Sequence, residues 1–319
     1  MTTSTEIKVE APARSDLTGS LAVLLAAAMW GTSGIFVKFV AADTGISALA
    51  LAFWRDVTTF AVLLICLGLL RLVLPGQSWL RVRRADLRWL IALGASLGTF
   101  HVFWNLGVFL NGAAVATVQQ AAMPAIVAVV AWFIWHETMT WSKIVAIILT
   151  FVGTVLVSGL DVLGQVELSL GGLLIGLGIP ITYAAWSLFG KKVREAYDPF
   201  TTLTYAFGFG ALVLLPFQFF IPQPWPLPPS ALMWFTGLIF VSTIVSFSSY
   251  TFALGRLPAS VASILAMSEI AFVAVYAYVL LDERLTPSQI VGALLVVAGV
   301  FLLSWHRWWS RNPRQRPEA

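Results

Sequence analysis

Runs of about 20 mostly apolar residues follow one another along the whole chain, separated by short polar segments. A helix of about 20 apolar residues crosses the hydrocarbon core of a bilayer, so each run predicts a transmembrane span. Only 11% of the 319 residues are charged, against roughly 25% in soluble domains, which excludes a soluble globular fold. The sequence therefore predicts an all-α integral membrane protein with ten transmembrane helices. The spans are predicted at residues 18–40, 47–70, 87–110, 113–135, 142–160, 170–190, 199–221, 230–253, 259–281 and 287–308.

The Lys and Arg residues are distributed unevenly between the two sides of these spans. With a cytoplasmic N-terminus, 16 of the 19 fall on the cytoplasmic side, Lys38 and Arg284 fall outside, and Arg55 lies within the second span. Because short cytoplasmic loops are enriched in Lys and Arg, this count predicts a multi-pass protein of the inner (plasma) membrane with both termini in the cytoplasm. The net charge of +4 is spread over short loops, so we expect no nucleic-acid partner.

The second half of the chain repeats the first. A shift of 146 residues brings Glu137 onto Glu283, and a shift of 153 residues brings Trp30 onto Tyr183. Each half holds five spans, and an odd number means that the second half is inserted upside down. Inverted repeats of this kind are typical of secondary transporters. The predicted divisions are a cytoplasmic tail at 1–17, a first repeat at 18–160, a second repeat at 161–308 and a basic cytoplasmic tail at 309–319.

Two segments, 113–158 and 258–304, share one pattern: an alanine-rich helix, a short turn containing Glu, and a helix with a glycine near its end. Together with Arg55 in the second span and Pro124 in the fourth, this pattern resembles the EamA-type ten-helix transporters of the drug/metabolite transporter superfamily. The resemblance implies two inverted five-helix repeats that work by alternating access. It also implies export of amino acids or related small metabolites, with facilitated exchange or drug efflux as alternatives.

Prolines predict where two of the spans depart from straight helices. Ile270 occupies the position of the second half that corresponds to Pro124, so we expect the ninth span to be less kinked than the fourth. Pro180 lies in the middle of the sixth span, where its missing N–H and its ring predict a kink. We interpret Pro180 as a hinge and Arg55 as a structural or gating residue.

Glu269 is the strongest candidate for a functional residue, since it lies halfway along the ninth span. Ionisable groups inside a bilayer are costly and usually face a cavity or a partner. An unpaired carboxylate at that depth would take up a proton. We therefore predict that Glu269 couples transport to protons or binds a cationic group of the substrate; the alternative is a structural carboxyl that joins helices.

His101 is a second candidate for proton coupling, because histidine titrates near physiological pH. His101 and Asn105 are four residues apart on the third span and share a face. Gln119 and Gln120 are adjacent in the fourth span, so we expect at most one of them to face a cavity. For all four polar residues the alternative is an interhelical hydrogen bond.

Aromatic residues complete the predicted substrate site. Trp30 and Tyr183 correspond across the repeat and are expected to flank the cavity on both sides, and Trp186 and Tyr250 are further candidates. For these residues the alternative is packing. The turn residues Glu137 and Glu283 are expected to cap the N-terminus of the following helix.

Several chemistries lack a motif in this sequence. It has no phosphate-binding loop and no Cys/His cluster with metal-ligand spacing, so we expect no cofactor, no metal and no enzyme activity. An intramembrane enzyme would need a nucleophile and a base together at membrane depth, and a channel would need polar residues in register along each pore helix. We expect the partners to be a small-molecule substrate, membrane lipid and protons, with the chain acting as a monomer or weak dimer.

The charge count makes a prediction about topology. A cysteine introduced at Gln165 should react with an impermeant thiol reagent added outside intact cells, and one at Arg84 should react only after permeabilisation. Labelling would be measured in a Cys66→Ser background, because Cys66 is the single native cysteine. The reverse pattern would overturn the predicted orientation.

Overall fold

The computed structural model describes residues 17–74, 79–111, 113–158, 170–280 and 286–309, and within these residues the chain forms helices, turns and no strand. Apolar residues continue around most helix faces, as expected where lipid rather than water is the solvent. The α-helices are α1 Leu17–Gly31, α2 Ser33–Thr44, α3 Ala48–Val73, α4 Leu87–Asn111, α5 Ala113–Gln120, α6 Met123–Trp135, α7 Trp141–Ser158, α8 Leu170–Val193, α9 Pro199–Leu214, α10 Pro229–Gly237, α11 Ser246–Leu254, α12 Ala259–Ala266, α13 Ser268–Leu280 and α14 Pro287–Trp309. Short 3₁₀ helices at Arg84–Asp86 and Leu215–Phe220 and a π-helix at Leu238–Val245 complete them.

These helices make ten passages through the bundle, because α1 joins α2, α5 joins α6, α10 continues through the π-helix into α11, and α12 joins α13. Eight passages are long and apolar enough to cross a membrane, and Pro287–Leu303 is a shorter apolar helix. The remaining passage is α8, with 24 residues. The ten predicted spans are therefore confirmed, with ends that differ from the prediction by a few residues.

The outer surface of the bundle is apolar. Large side chains such as Ile65, Phe133 and Leu294 are each about 60% exposed, and comparable residues lie on most of the passages. A soluble protein rarely leaves so much contiguous apolar surface in water. The chain is thus a multi-pass membrane protein.

The bundle has two ends, which we call the terminal face and the opposite face. The terminal face contains Leu17, Glu137 and Trp309, and there Glu137 contacts the start of α12. The opposite face contains Trp54, whose indole N–H donates to the Oε1 of Gln223 at 2.9 Å. Successive passages run between these two faces, and the two five-helix halves are inverted relative to each other.

The ninth passage is interrupted although it lacks a proline. The fourth passage breaks at residues 121–122, just before Pro124, and the ninth breaks at Met267 between α12 and α13. The lack of a proline therefore does not make the ninth passage one continuous helix. At Met267 the backbone bonds tighten to a three-residue spacing, from Met267 N–H to the Ile264 carbonyl at 3.1 Å. The hydroxyl of Ser268 also donates to the Leu265 carbonyl at 2.8 Å, so a serine side chain competes with the helical ladder here.

Pro180 does not interrupt its helix. α8 runs unbroken from Leu170 to Val193 with Pro180 inside it. The ring removes one N–H, so the carbonyl of Gly176 loses its usual partner four residues on. The Thr182 hydroxyl bonds to the Gly178 carbonyl at 2.7 Å and reinforces the turn that contains Pro180.

Two glycines let α7 and α14 approach each other. A Cβ placed on Gly153 would lie 2.6 Å from the carbonyl oxygen of Gly292, and a Cβ on Gly292 would lie 2.6 Å from the carbonyl oxygen of Gly153. Both obstacles are backbone atoms, which cannot move aside. Small residues that permit this approach are the usual means of helix association in lipid.

Replacing Gly153 with Leu should therefore separate α7 from α14 and lower the free energy of unfolding by about 1–3 kcal/mol, the typical effect of overpacking. The change would be measured as a lower melting temperature of the purified protein in detergent. Gly68→Leu is the matched control, since a Cβ at Gly68 meets nothing within 4 Å. Equal melting temperatures for the two variants would contradict the assignment of this contact.

Candidate functional site

An aromatic cluster from both halves occupies the centre of the bundle. Trp30 on α1 lies 5.3 Å from Tyr250 and 5.2 Å from Phe247, measured between ring centroids. Trp186 on α8 stacks on Tyr250 at 5.2 Å. Trp30, Trp186 and Tyr250 are at most 7% exposed, so the rings hold one another closely. Of the predicted site residues, these three and Tyr183 are brought together.

Two polar atoms in this cluster have different surroundings. The hydroxyl of Tyr250 lies 2.7 Å from the Oγ of Ser187, and Tyr250 is fully buried, which fits a residue that positions α8 against α11. The indole N–H of Trp30 is buried without a hydrogen-bond partner. A buried donor without a partner is uncommon. Trp30 thus has a buried donor that is free for a ligand.

Tyr183 extends the cluster towards α4. Its ring stacks on Trp186 at 5.6 Å and on Phe100 at 4.7 Å. Trp30 and Tyr183, which correspond across the repeat, therefore both lie beside Trp186, whose ring centroid is 6.3 Å from that of Trp30.

Glu269 lies at the break between α12 and α13. It is half-buried, and it is the eleventh residue of the passage Ala259–Leu280. Its carboxylate makes no hydrogen bond or ion pair with another residue of the described ranges, and it acts electrostatically on the hydroxyl of Tyr183. The break places Glu269 in the first turn of α13, where the N-terminal end of a helix favours negative charge. The sequence did not reveal this second feature, because no proline marks the break.

His101 belongs to a buried group of three charged or titratable side chains. Its Nδ1 lies 2.9 Å from the Oδ2 of Asp56, and its Nε2 lies 2.6 Å from an Arg55 guanidinium nitrogen. The Arg55 Nε also lies 3.5 Å from the Oδ1 of Asp56. Asn105 bonds to the backbone carbonyl of His101 at 2.6 Å, which supports the helix rather than the imidazole. Asp56 was missed as a functional residue, although a carboxylate inside a span is the same signal that identified Glu269.

Gln119 and Gln120 lie at the break in the fourth passage. The Gln119 amide packs on α8, where a Cβ on Gly176 would lie 2.1 Å from its Nε2. Its Oε1 is buried without a hydrogen-bond partner, while Gln120 is only 7% exposed. Gln119 thus has a buried acceptor that is free for a ligand.

On the terminal face, Glu137 joins the two halves. Its Oε1 accepts the backbone N–H of Ala259 at 2.7 Å, and its Oε2 accepts the backbone N–H of Ser260 at 3.3 Å and the hydroxyl of Ser260. Lys143 lies 3.6 Å from the same carboxylate. Glu137 therefore caps a helix, but the helix is α12 of the second half and not α7, which follows it in sequence. The corresponding Glu283 lies outside the described residues.

Further contacts join the halves on the same face. The indole N–H of Trp135 donates to Glu195 at 2.9 Å, and the hydroxyl of Tyr197 donates to Asp86 at 2.7 Å. Partial burial raises the pKa of the Glu195 carboxyl, but hydrogen bonds from Lys192 and Trp135 outweigh it and leave the pKa below its usual range. Glu195 is therefore ionised at neutral pH. The terminal face is closed by polar contacts between residues distant in sequence.

Inverted five-helix halves with broken helices and unpaired polar groups at their interface are features of membrane transporters. The chain matches the EamA-like transporter family over residues 17–159 and 170–305, and it belongs to that family. A solved crystal structure with 18% identity superposes with a TM-score of 0.76 over 92% of this chain and 99% of the other, which shows the same fold.

Similar proteins occur in archaea and bacteria. An uncharacterized transporter of Archaeoglobus fulgidus is 26% identical over 89% of this chain and 97% of its own length. The uncharacterized inner membrane transporter YicL of Salmonella typhimurium is 26% identical over 90% and 95%. The uncharacterized transporter YwfM of Bacillus subtilis is 25% identical over 89% and 93%. These names describe membrane transporters and specify no substrate.

The Glu137 cap generates a prediction. Glu137→Gln removes the negative charge of the group that accepts hydrogen bonds from α12. Hydrogen bonds to charged groups contribute about 1.5–3 kcal/mol each. A cysteine at Ser263, which is fully buried on α12, should then react roughly tenfold faster with a thiol reagent, measured in the Cys66→Ser background. Asp43→Asn on the opposite face is the control, because Asp43 is exposed. Unchanged labelling of Ser263→Cys would show that Glu137 does not hold this face closed.

Proposed function

We propose that this membrane transporter is a secondary transporter that exports amino acids or related small metabolites across the bacterial inner membrane. The observation that carries the proposal is the Glu269 carboxylate, which lies unpaired at a helix break beside an aromatic cluster built from both halves. A carboxylate at this depth is retained where it binds a cationic group or a proton. An ammonium group of an amino acid is such a cation, and the rings of Trp30 and Tyr183 flank its path.

Alternating access follows from the arrangement of the halves. The breaks at residues 121–122 and at Met267 divide the fourth and ninth passages, and the first passage divides between Gly31 and Ser33. Each break can act as a hinge between two short rigid helices. The halves rock about the aromatic cluster, and the Glu137 contact closes one side in the conformation described here.

The orientation rests on the distribution of Lys and Arg. We propose that the terminal face is cytoplasmic, since most Lys and Arg lie there. The contacts of Glu137, Trp135 and Tyr197 then form the closed cytoplasmic gate. An exporter must open this gate to load its substrate from the cytoplasm.

Proton coupling is assigned to Glu269. The substrate cation and a proton compete for one carboxylate, so binding of one releases the other. A protonated Glu269 is neutral. The empty transporter can then return through the occluded state without a substrate. Export then exchanges a proton for a solute.

A drug efflux protein of the same fold is the second candidate. The rings of Trp30, Trp186 and Tyr250 lie within 6.3 Å of one another, and an organic cation could stack on them with Glu269 as its counter-ion. Facilitated exchange without a proton is a third mode of the same site. The choice among them depends on the substrate.

The experiment that tests the function is an export screen. Cells that overproduce the protein would be loaded with amino acids and common metabolites, and the medium would be analysed by mass spectrometry against cells without the protein. An amino acid or metabolite that accumulates outside supports the proposal. Export of organic cations alone would favour drug efflux, and no export of either class would overturn both.

Glu269→Gln provides the mechanistic prediction. The amide keeps the shape of the side chain and cannot titrate, so transport in proteoliposomes should lose its dependence on a proton gradient. Glu269→Asp retains a titrating group and should keep that dependence at a lower rate, and Asp43→Asn should behave as wild type. A gradient dependence that survives in Glu269→Gln would exclude Glu269 as the coupling residue.

A further inference from the structure

The hydrogen bonds of His101 fix its protonation state. A guanidinium has only donors, so the Arg55 nitrogen at 2.6 Å from Nε2 must donate, and Nε2 must be the acceptor. The proton of the imidazole then lies on Nδ1, which donates to the Oδ2 of Asp56 at 2.9 Å. His101 is therefore neutral in this arrangement. The three side chains carry one positive and one negative charge, with no net charge.

The neighbouring helices add no other charge to this group. From α3 come Arg55 and Asp56, the two charges that act on His101. α8 contributes the Tyr183 phenol. Its ring stacks on Phe100, and the Phe100 ring in turn contacts the imidazole of His101. α5 carries no charged residue, and α9 presents Gly210, where a Cβ would lie 3.5 Å from the Asp56 carboxylate. His101 thus responds to Arg55 and Asp56 within the described residues.

Arg55 is the accessible member of the group. Its side chain is 17% exposed, whereas those of His101 and Asp56 are 4% and 0% exposed. Its Nε is buried without a hydrogen bond and lies 3.5 Å from the Asp56 Oδ1. Arg55 is the eighth residue of α3, about 10 Å along the helix from Ala48 at the opposite face. A guanidinium at that depth needs an anionic or aqueous partner on its exposed side.

We propose that Arg55, His101 and Asp56 form a proton-gated binding site for the carboxylate group of the transported solute. When a proton binds to Nε2, that nitrogen can no longer accept from Arg55. The imidazolium pairs with Asp56, which it already contacts through Nδ1, and it repels the guanidinium. Arg55 is released and binds a carboxylate. One proton is added and no covalent bond breaks, so the net charge of the three side chains rises from zero to +1 and the carboxylate returns it to zero.

This inference rests on the proposed function and specifies the substrate class further. The proton at His101 travels with the solute, whereas the proton at Glu269 exchanges against it. A simple carboxylate would leave together with a proton, and an organic cation would exchange with one. An amino acid bound through its ammonium group at Glu269 alone would still exchange with one proton, whereas one held at both sites would move no net proton. The sign of the pH change during transport therefore reports which site the solute uses.

The test uses purified full-length protein in liposomes, with acetate as the anionic probe and methylammonium as the cationic control. Because proton and anion binding are reciprocal, acetate affinity should rise by up to about tenfold for each unit that the pH falls over the range from about pH 8 to 5. Nitrogen-15 NMR of histidine in a His136→Asn, His306→Asn background should show the Nδ1–H tautomer without acetate. Added acetate should convert His101 to imidazolium.

Two variants separate a titrating role from a structural one. His101→Gln can accept from Arg55 and donate to Asp56 without binding a proton, so its acetate affinity should be low and independent of pH. His101→Lys keeps its charge to higher pH than a histidine does, so its acetate affinity should be high and should change less with pH. Lys38→Gln, which removes an exposed cation on α2, should match wild type.

Three outcomes would overturn the proposal: no acetate binding at any pH in a folded protein, a pH dependence retained in His101→Gln, or a resting Nε2–H tautomer. Acetate binding that survives in Glu269→Gln supports a site separate from Glu269. Export of a solute in the screen together with failure of acetate binding would leave the transport function intact and remove this site alone.

Discussion

Backbone polar groups in lipid must find their partners inside the protein, because the bilayer core offers no water. Most of this chain meets that constraint with long helices. Where the helices break, side-chain hydroxyls take part in the local hydrogen bonding: Thr32 bonds to the Met29 carbonyl at 2.6 Å and meets Ser242 of the π-helix at 2.8 Å, and Ser268 bonds to the Leu265 carbonyl. The breaks occur where the halves meet, so irregular backbone and polar side chains are concentrated at the place where a solute could bind.

The same constraint shapes the terminal face. The first N–H groups of α12 have no partner within their own helix, and Glu137 from the other half supplies it. The end of α11 is met by Lys191, whose Nζ donates to the carbonyls of Leu254 and Leu257 at 2.9 Å each. Both helix ends thus depend on side chains from outside these helices. Opening this face exposes the two helix ends to water, which can replace the lost hydrogen bonds. A face closed by polar contacts can therefore open at a smaller cost in free energy than one closed by apolar contacts.

The ten spans and the inversion could be predicted from the sequence because both depend on the length of apolar runs and on parity. Glu269 could be predicted because one carboxylate in an apolar run is conspicuous. The break at Met267 could not, since it depends on a serine hydroxyl bond rather than on a proline. The partner of Glu137 could not be predicted either, because Ala259 is 122 residues away and only packing brings the two together. Asp56 was overlooked beside Arg55, because the contact that gives it a role is with His101, which lies on another helix.

Charge balance limits what can pass between the two faces. A net charge enclosed in a medium of low dielectric is strongly disfavoured, so the occluded carrier must hold paired or neutral groups. Empty, it meets this condition when Glu269 is protonated and His101 is neutral between Arg55 and Asp56. With substrate bound, the carrier meets this condition when a cation replaces the proton at Glu269. It also meets the condition when a carboxylate binds Arg55 while His101 is protonated. If Glu269 and the Arg55 group bind solute as proposed, their charges set the coupling, and a change of substrate class changes the direction in which the proton moves without any change in the fold.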